Sequence, residues 1–159
     1  MRLVLVTAEP GDPYDWESYP RDGAPRAILE AACRHVYDVL ATGRDLYHQN
    51  VRHILSRCFP GCSFEEQMCR TWLTDSVLCS ARVEGGGVPM PVARECRHRY
   101  LEAQLALFPR ALIVALGSKA AYRLRGVPGV LKAFSVAAPG CNYRGARPSW
   151  DVIAARFGH

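Results

Sequence analysis

The sequence predicts an α/β fold of three layers, α/β/α, about a central four-stranded parallel sheet. Four short apolar runs carry this reading: residues 3–6, 72–79, 112–116 and 133–138 each meet a polar or Gly/Pro-rich turn. Stretches with helical spacing of apolar residues separate them, the alternation expected of a parallel sheet with crossover helices. The length, 159 residues, fits one domain over 1–159 with a core covered on both sides.

The elements follow in order. Strand one covers 2–7, and a loop punctuated by Pro10, Gly11, Pro13 and Pro20 runs from 8 to 22. Pro25 opens a helix to Leu40, with Ile28, Leu29, Ala32, Val36 and Val39 spaced for one buried face, and Gly43 stops it. A second helix covers 46–58 with Val51, Ile54 and Leu55 inward, and Phe59, Pro60 and Gly61 end it. Ser63 ahead of Glu65, Glu66 and Gln67 caps one short helix before the second strand, expected over 72–79. After Gly85, Gly86 and Gly87, the pair Pro89 and Pro91 leads into a long helix reaching Phe108, packed through Tyr100, Leu101, Leu105 and Leu107. Residues 111–116 are continuously apolar, as a strand covered on both faces should be. Gly117 and Ser118 start a helix through Leu124, the last strand ends at Ala138, and Ser149 caps a closing helix over 150–157.

Net charge is +5 and comes mostly from arginine, Lys119 and Lys132 being the only lysines. Arginine suits bidentate contacts to phosphate and bases, so the balance favours a nucleic-acid partner, with a soluble basic domain as the alternative. No opening segment has the h-region of a secretion signal and no run is long enough to span a bilayer, so the expected place is the cytoplasm, with no membrane partner. Seven cysteines then read as thiols rather than disulfides.

If the four runs are parallel strands, their carboxyl ends share one edge, where open α/β sheets place ligands. Glu9 and Asp75 would both face that crevice.

Three stretches carry a family resemblance. They are Thr74-Asp75-Ser76-Val77-Leu78-Cys79; then Pro91, Glu95-Cys96 and Tyr100-Leu101-Glu102-Ala103-Gln104; then Pro109, Leu112-Ile113-Val114-Ala115-Leu116-Gly117 and Ala120. Together they resemble the central block of the uracil-DNA glycosylase superfamily, most of all its iron–sulfur branch (family four). There a strand ending Thr-Asn-Val-Val-Lys-Cys precedes a Cys-x-x-Tyr-Leu helix and a Val-x-Leu-Gly strand. At the chain's ends Ala8-Glu9-Pro10-Gly11 resembles the first motif, and Ala138-Pro139-Gly140 stands where that superfamily has His-Pro-Ser.

The resemblance implies a monofunctional DNA glycosylase that hydrolyses the bond between a flipped base and its sugar. Cleavage builds positive charge on the sugar and negative charge on the base, so the site needs a carboxylate at one and donors at the other. Glu9 is the expected carboxylate and Asp12 its understudy; the alternative is that both decorate a polar turn. Asp75 replaces an asparagine that suits uracil. An ionised aspartate only accepts, which suits the exocyclic amine of cytosine or a modified cytosine such as viruses carry, whereas a protonated one imitates asparagine. A place in defence against foreign DNA would follow from the modified base. The alternative is a structural acid at a strand end.

Ala138 stands in place of a histidine that donates to the departing base, and alanine cannot donate. Backbone N–H groups, Asn142, Arg144 or Arg147 would have to substitute, or the chain is a catalytically inactive DNA-binding protein of the same fold. The stretch 142–149 resembles the loop that enters DNA, with Tyr143 as wedge and Arg144 and Arg147 gripping phosphate; an exposed basic loop is the alternative. Tyr47 falls near the aromatic that stacks on the flipped base, or simply packs at a helix start. Ser118 would meet a DNA phosphate, or make an ordinary turn. Cys79 and Cys96 match two of four iron–sulfur ligands, but the Cys-x-x-Cys placed before strand one has no counterpart and Cys58, Cys62 and Cys69 offer only a weak substitute spacing, so a cluster-free core with no metal is expected and an iron–sulfur cluster is the alternative. His48 and His53 share a helix at a spacing that places no metal between them. DNA is the expected partner; no obligate protein partner is inferred.

Overall fold

The computed structural model describes residues 1–12, 24–79, 81–83 and 85–157. Four strands, β1 Leu3–Thr7, β2 Thr71–Asp75, β3 Leu112–Leu116 and β4 Leu131–Ala133, form one sheet in the order β2-β1-β3-β4, every pair parallel. The register pairs Leu3 with Thr71 and Leu112, Thr7 with Asp75, and Leu116 with Ala133. The order reverses at β1, so the crevice of a switch point opens beyond its carboxyl end.

Strand β1 shows why both faces must be covered. Its five residues are all buried, and side chains alternate between faces. Leu3 and Leu5 pack with Leu40 of α1 (Pro25–Thr42), with Val51, Ile54 and Leu55 of α2 (Leu46–Cys58), and with Trp150 and Ile153 of α7 (Ala146–Phe157). Val4 and Val6 turn to the other layer. There they meet Leu101 and Leu105 from the helical segment 90–106 and Ala120 and Leu124 from the α6 region (Ser118–Arg123). The three-layer arrangement is therefore built as expected. No helix among the described residues is long and apolar enough to cross a membrane.

Local chemistry sets the boundaries. Ser63 caps α3 (Phe64–Met68) in a full capping box, its hydroxyl accepting from Glu66 N–H while the Glu66 carboxylate accepts from Ser63 N–H at 2.7 Å. Gly43 ends α1 in the left-handed conformation. Gly117 joins β3 to α6 at φ +97°, and an added Cβ would lie 3.0 Å from the Ser135 Cβ, so a glycine is required there.

Several expectations are corrected. Strand two ends at Asp75, not at 79; beyond it only Ser76 N–H and Val77 N–H still donate to Thr7 and Ala8 carbonyls. Strand four lies at Leu131–Ala133 rather than over 133–138, because buried Val136 belongs to a loop whose carbonyl accepts from the buried Asn50 amide at 2.9 Å. The long helix is α4 (Met90–Cys96), a π-helical turn Arg97–Leu101 and α5 (Glu102–Ala106). The wider turn shifts the buried face, leaving Tyr100 and Leu107 exposed while Leu101 and Leu105 are buried. Leu29 and Val36 of α1 are exposed too, and only Leu40 of that helix is fully buried. Ser149 does not cap the last helix, which starts at Ala146. Its hydroxyl instead donates to Ala146 O and accepts from Phe134 N–H, tying α7 to the preceding loop. From residue 13 onward the first loop lies outside the described residues.

Candidate functional site

The carboxyl ends of β1 and β2 and the start of α2 bring Tyr47 and Asp75 to one cavity, which Glu9 does not line. Thr7 and Asp75 are the last register pair, and the Thr7 hydroxyl donates to Asp75 Oδ1. The helix start of α2 supplies Tyr47, which lines the same cavity as Thr7 and Asp75 and lies within the field of the Asp75 charge. Burial, followed by the field of Asp75, pushes the phenol well above its ordinary value, so it remains a neutral donor.

A cavity of about 300 Å³ opens here. Its polar lining is Thr7, His35, Tyr47, His48, Thr74 and Asp75, and α1 with Leu73 supplies the apolar wall. Burial raises the pKa of Asp75 and the nearby Glu9 charge adds to the effect, against the opposing pull of the Thr7 bond and Arg123. The Asp75 carboxyl is thus biased toward the protonated form. Protonated, it offers a donor as well as an acceptor; ionised, it only accepts.

Glu9 stands on the other side of the β1 terminus, and two cations hold it. Lys119 Nζ donates to one oxygen and Arg123 Nη1 to the other, and the Glu9 side chain is only 6% exposed. Burial works against the charge, yet the bonds from Lys119 and Arg123 outweigh it and hold the pKa below the ordinary glutamate value. Arg123 also donates to Ala8 O at 2.8 Å and Ser76 Oγ at 3.1 Å, and Lys119 to Gly85 O and Gly86 O at 2.9 and 2.7 Å. A carboxylate in this setting is a fixed negative charge rather than a proton acceptor. Asp12, by contrast, is exposed.

Sequence reasoning missed Lys119 and Arg123. They stand one helical turn apart on the helix that follows β3, which is the one signal that they share a target. It also missed His48 as a lining residue. Asp45, the N-cap of α2, accepts from His48 N–H at 3.0 Å and faces the ring Nδ1 at 2.8 Å, and that pairing is legible in the three-residue spacing.

The other expected residues lie apart from this cavity. Ser118 lines a second, larger hollow of about 560 Å³ together with Lys119, Tyr122, Arg123, Arg125 and Lys132. Ala138, Asn142, Tyr143, Arg144 and Arg147 line neither; all five are exposed, in or beside the loop between β4 and α7. Tyr143 rests against Phe134 with ring centroids 6.0 Å apart, and Arg147 bonds His53 Nδ1 at 3.2 Å and lies over the Trp150 ring. Burial and then Arg147 hold the His53 imidazole below its ordinary value.

Cys79 and Cys96 make a poor half-site. Cys96 is buried and its sulfur accepts from Leu78 N–H at 3.1 Å, whereas Cys79 is exposed. Among the described residues no group of three or more His, Cys, Asp or Glu side chains is placed to hold a metal.

Comparison of the chain with protein-family models, with curated proteins and with solved structures finds no significant match in any of the three.

Proposed function

We propose that the protein is a DNA glycosylase, hydrolysing the N-glycosidic bond of a base flipped out of DNA, with the cavity at Tyr47 and Asp75 as its base pocket. The observation that carries this reading is the juxtaposition itself: an aromatic ring, a carboxyl group and a cavity of about 300 Å³ at the carboxyl edge of a parallel sheet. Tyr47 supplies the flat face on which a base stacks. Asp75 reads its Watson–Crick edge. In its protonated form it donates to a keto oxygen such as that of uracil; ionised, it accepts from the exocyclic amine of cytosine or a cytosine derivative.

Glu9 serves as fixed charge. Its lowered pKa keeps it ionised, and an ionised carboxylate near the sugar favours the cation that forms as the bond breaks. The exposed loop with Tyr143 and Arg144, and Arg147 in the first turn of α7, supply the wedge and the phosphate grips. The test is incubation with single- and double-stranded oligonucleotides bearing uracil, hypoxanthine, xanthine or modified cytosines, followed by alkaline cleavage of abasic sites. Strand breaks at one base class support the reading, and their absence with every substrate overturns it.

A second reading, a noncatalytic DNA-binding protein, draws on one observation. Both Glu9 oxygens are engaged by cations, and Ala138 has no side-chain donor. DNA binding without any abasic product would favour it.

A further inference from the structure

We propose that His48, oriented by Asp45, is the general base of this site, taking the proton of the water that attacks the sugar. The inference rests on the base-excision reading above. It goes beyond that reading by assigning the proton-accepting step to a residue outside every motif of the sequence.

Asp45 Oδ1 faces His48 Nδ1 at 2.8 Å, and the same oxygen accepts from the His48 backbone N–H at 3.0 Å, so the ring is fixed at both ends of the residue. A carboxylate opposite Nδ1 places the proton of the neutral ring on that nitrogen and leaves the lone pair on Nε2. The His48 side chain is 14% exposed and lines the cavity shared with Tyr47 and Asp75. Among the described residues Nε2 has no hydrogen-bond partner, and it is not sealed from solvent. A ring held through one nitrogen, on a residue that lines a cavity, suits a general base.

Three other groups at the site are already engaged. Glu9 has both oxygens on cations. Asp75 carries the Thr7 bond and is biased toward protonation, and Tyr47 is held neutral. Asp45 bonds the His48 ring and Tyr47 packs edge-on against it, and His35 of α1 and Asp75 of β2 are the other titratable groups lining the same cavity.

The step balances as follows. The bond between C1′ and the base nitrogen breaks, its electron pair leaving with the base. Water oxygen bonds to C1′ and one water proton passes to Nε2. The imidazolium then gives that proton to the departed base anion, which regenerates neutral His48 and yields free base and an abasic sugar.

The experiment compares the unaltered protein with His48→Gln and Asp45→Asn in single-turnover excision across pH. Asparagine caps helices as well as aspartate, so Asp45→Asn tests positioning without removing the cap. His48→Gln should lower the rate by roughly 10²- to 10⁴-fold, abolish the acid limb of the pH–rate profile, and leave binding to abasic-site DNA unchanged within about threefold. Asp45→Asn should give a smaller loss and shift the ring ¹⁵N resonances away from the Nδ1–H tautomer. A His48→Gln rate within about twofold of the unaltered protein at every pH overturns the assignment while the excision reading stands. If the unaltered protein excises nothing, the excision reading falls. The general-base assignment then falls with it, whereas a loss of rate in His48→Gln supports the assignment with the excision reading intact.

Discussion

Thr7 and Asp75 close the β1–β2 ladder as its last register pair, and the hydroxyl of the first donates to the carboxyl of the second. One carboxyl oxygen is thereby occupied by the protein. The other is left to meet whatever enters the cavity, so the protonation state of a single atom decides whether that contact is a donor or an acceptor.

Asp75→Asn fixes that contact in the neutral form. Burial raises the Asp75 pKa above its ordinary value of 3.8. The group's contribution to stability is thus complete below that value and is lost as pH rises through the folded-state pKa. The variant should melt higher than the unaltered protein at neutral pH, by about 2–4 °C for each kcal/mol of relieved penalty, and the two should converge toward pH 4. Its base preference should move toward a keto-bearing base such as uracil. Thermal melts at two pH values and competitive excision of uracil against modified cytosines check both outcomes.

Glu9→Ala strips Lys119 and Arg123 of their shared counter-charge. Breaking a buried pair costs about 3–5 kcal/mol, and the lower end applies because Lys119 is 38% exposed. Since the Glu9 pKa lies below the ordinary 4.5, its stabilisation is present above that value and fades as pH falls through the lower folded-state pKa. Urea unfolding should show a large difference between variant and unaltered protein at pH 7 and a shrinking one in acid.

Asn50→Leu leaves the Val136 carbonyl without its buried donor. The expected loss is about 1–3 kcal/mol in urea unfolding, together with faster amide exchange in the loop after β4.

Arg144→Ala and Tyr143→Ala separate grip from wedge. Each lost phosphate contact should lower the slope of log affinity against log salt by about 0.9 on duplex DNA. Tyr143→Ala should leave that slope alone and reduce excision from duplex more than from single strands, because only the duplex resists flipping.

Much of the architecture was legible because burial and secondary structure coincide there. The apolar run of β1 is a strand buried on both sides, the inward residues of α2 are those spaced for it, and the Ser63 capping box sits where its residues predict. Reading failed where burial and strand part company. Val136 is apolar because a loop passes under Asn50, so the run over 133–138 reported burial and not a strand, while β4 was hidden by the exposed Lys132 at its centre. The phase change at Arg97–Leu101 has no apolar signature, which turned Tyr100 and Leu107 outward against expectation. At the site, topology made the placing of Glu9 and Asp75 at neighbouring strand ends readable, although only Asp75 lines the cavity. The clamp from Lys119 was not, since it spans 110 residues of sequence and depends on the register of β1 against β3.

Lys119 also has a mechanical consequence. Its ammonium is bonded at once to the first motif through Glu9 and to the glycine loop through the carbonyls of Gly85 and Gly86, while its backbone belongs to α6. The Glu9 turn, the glycine loop and α6 meet at this one nitrogen atom, as spokes do at a hub. Anything that draws that atom away, a bound polyanion included, would free the glycine loop and leave the Glu9 turn to Arg123 alone.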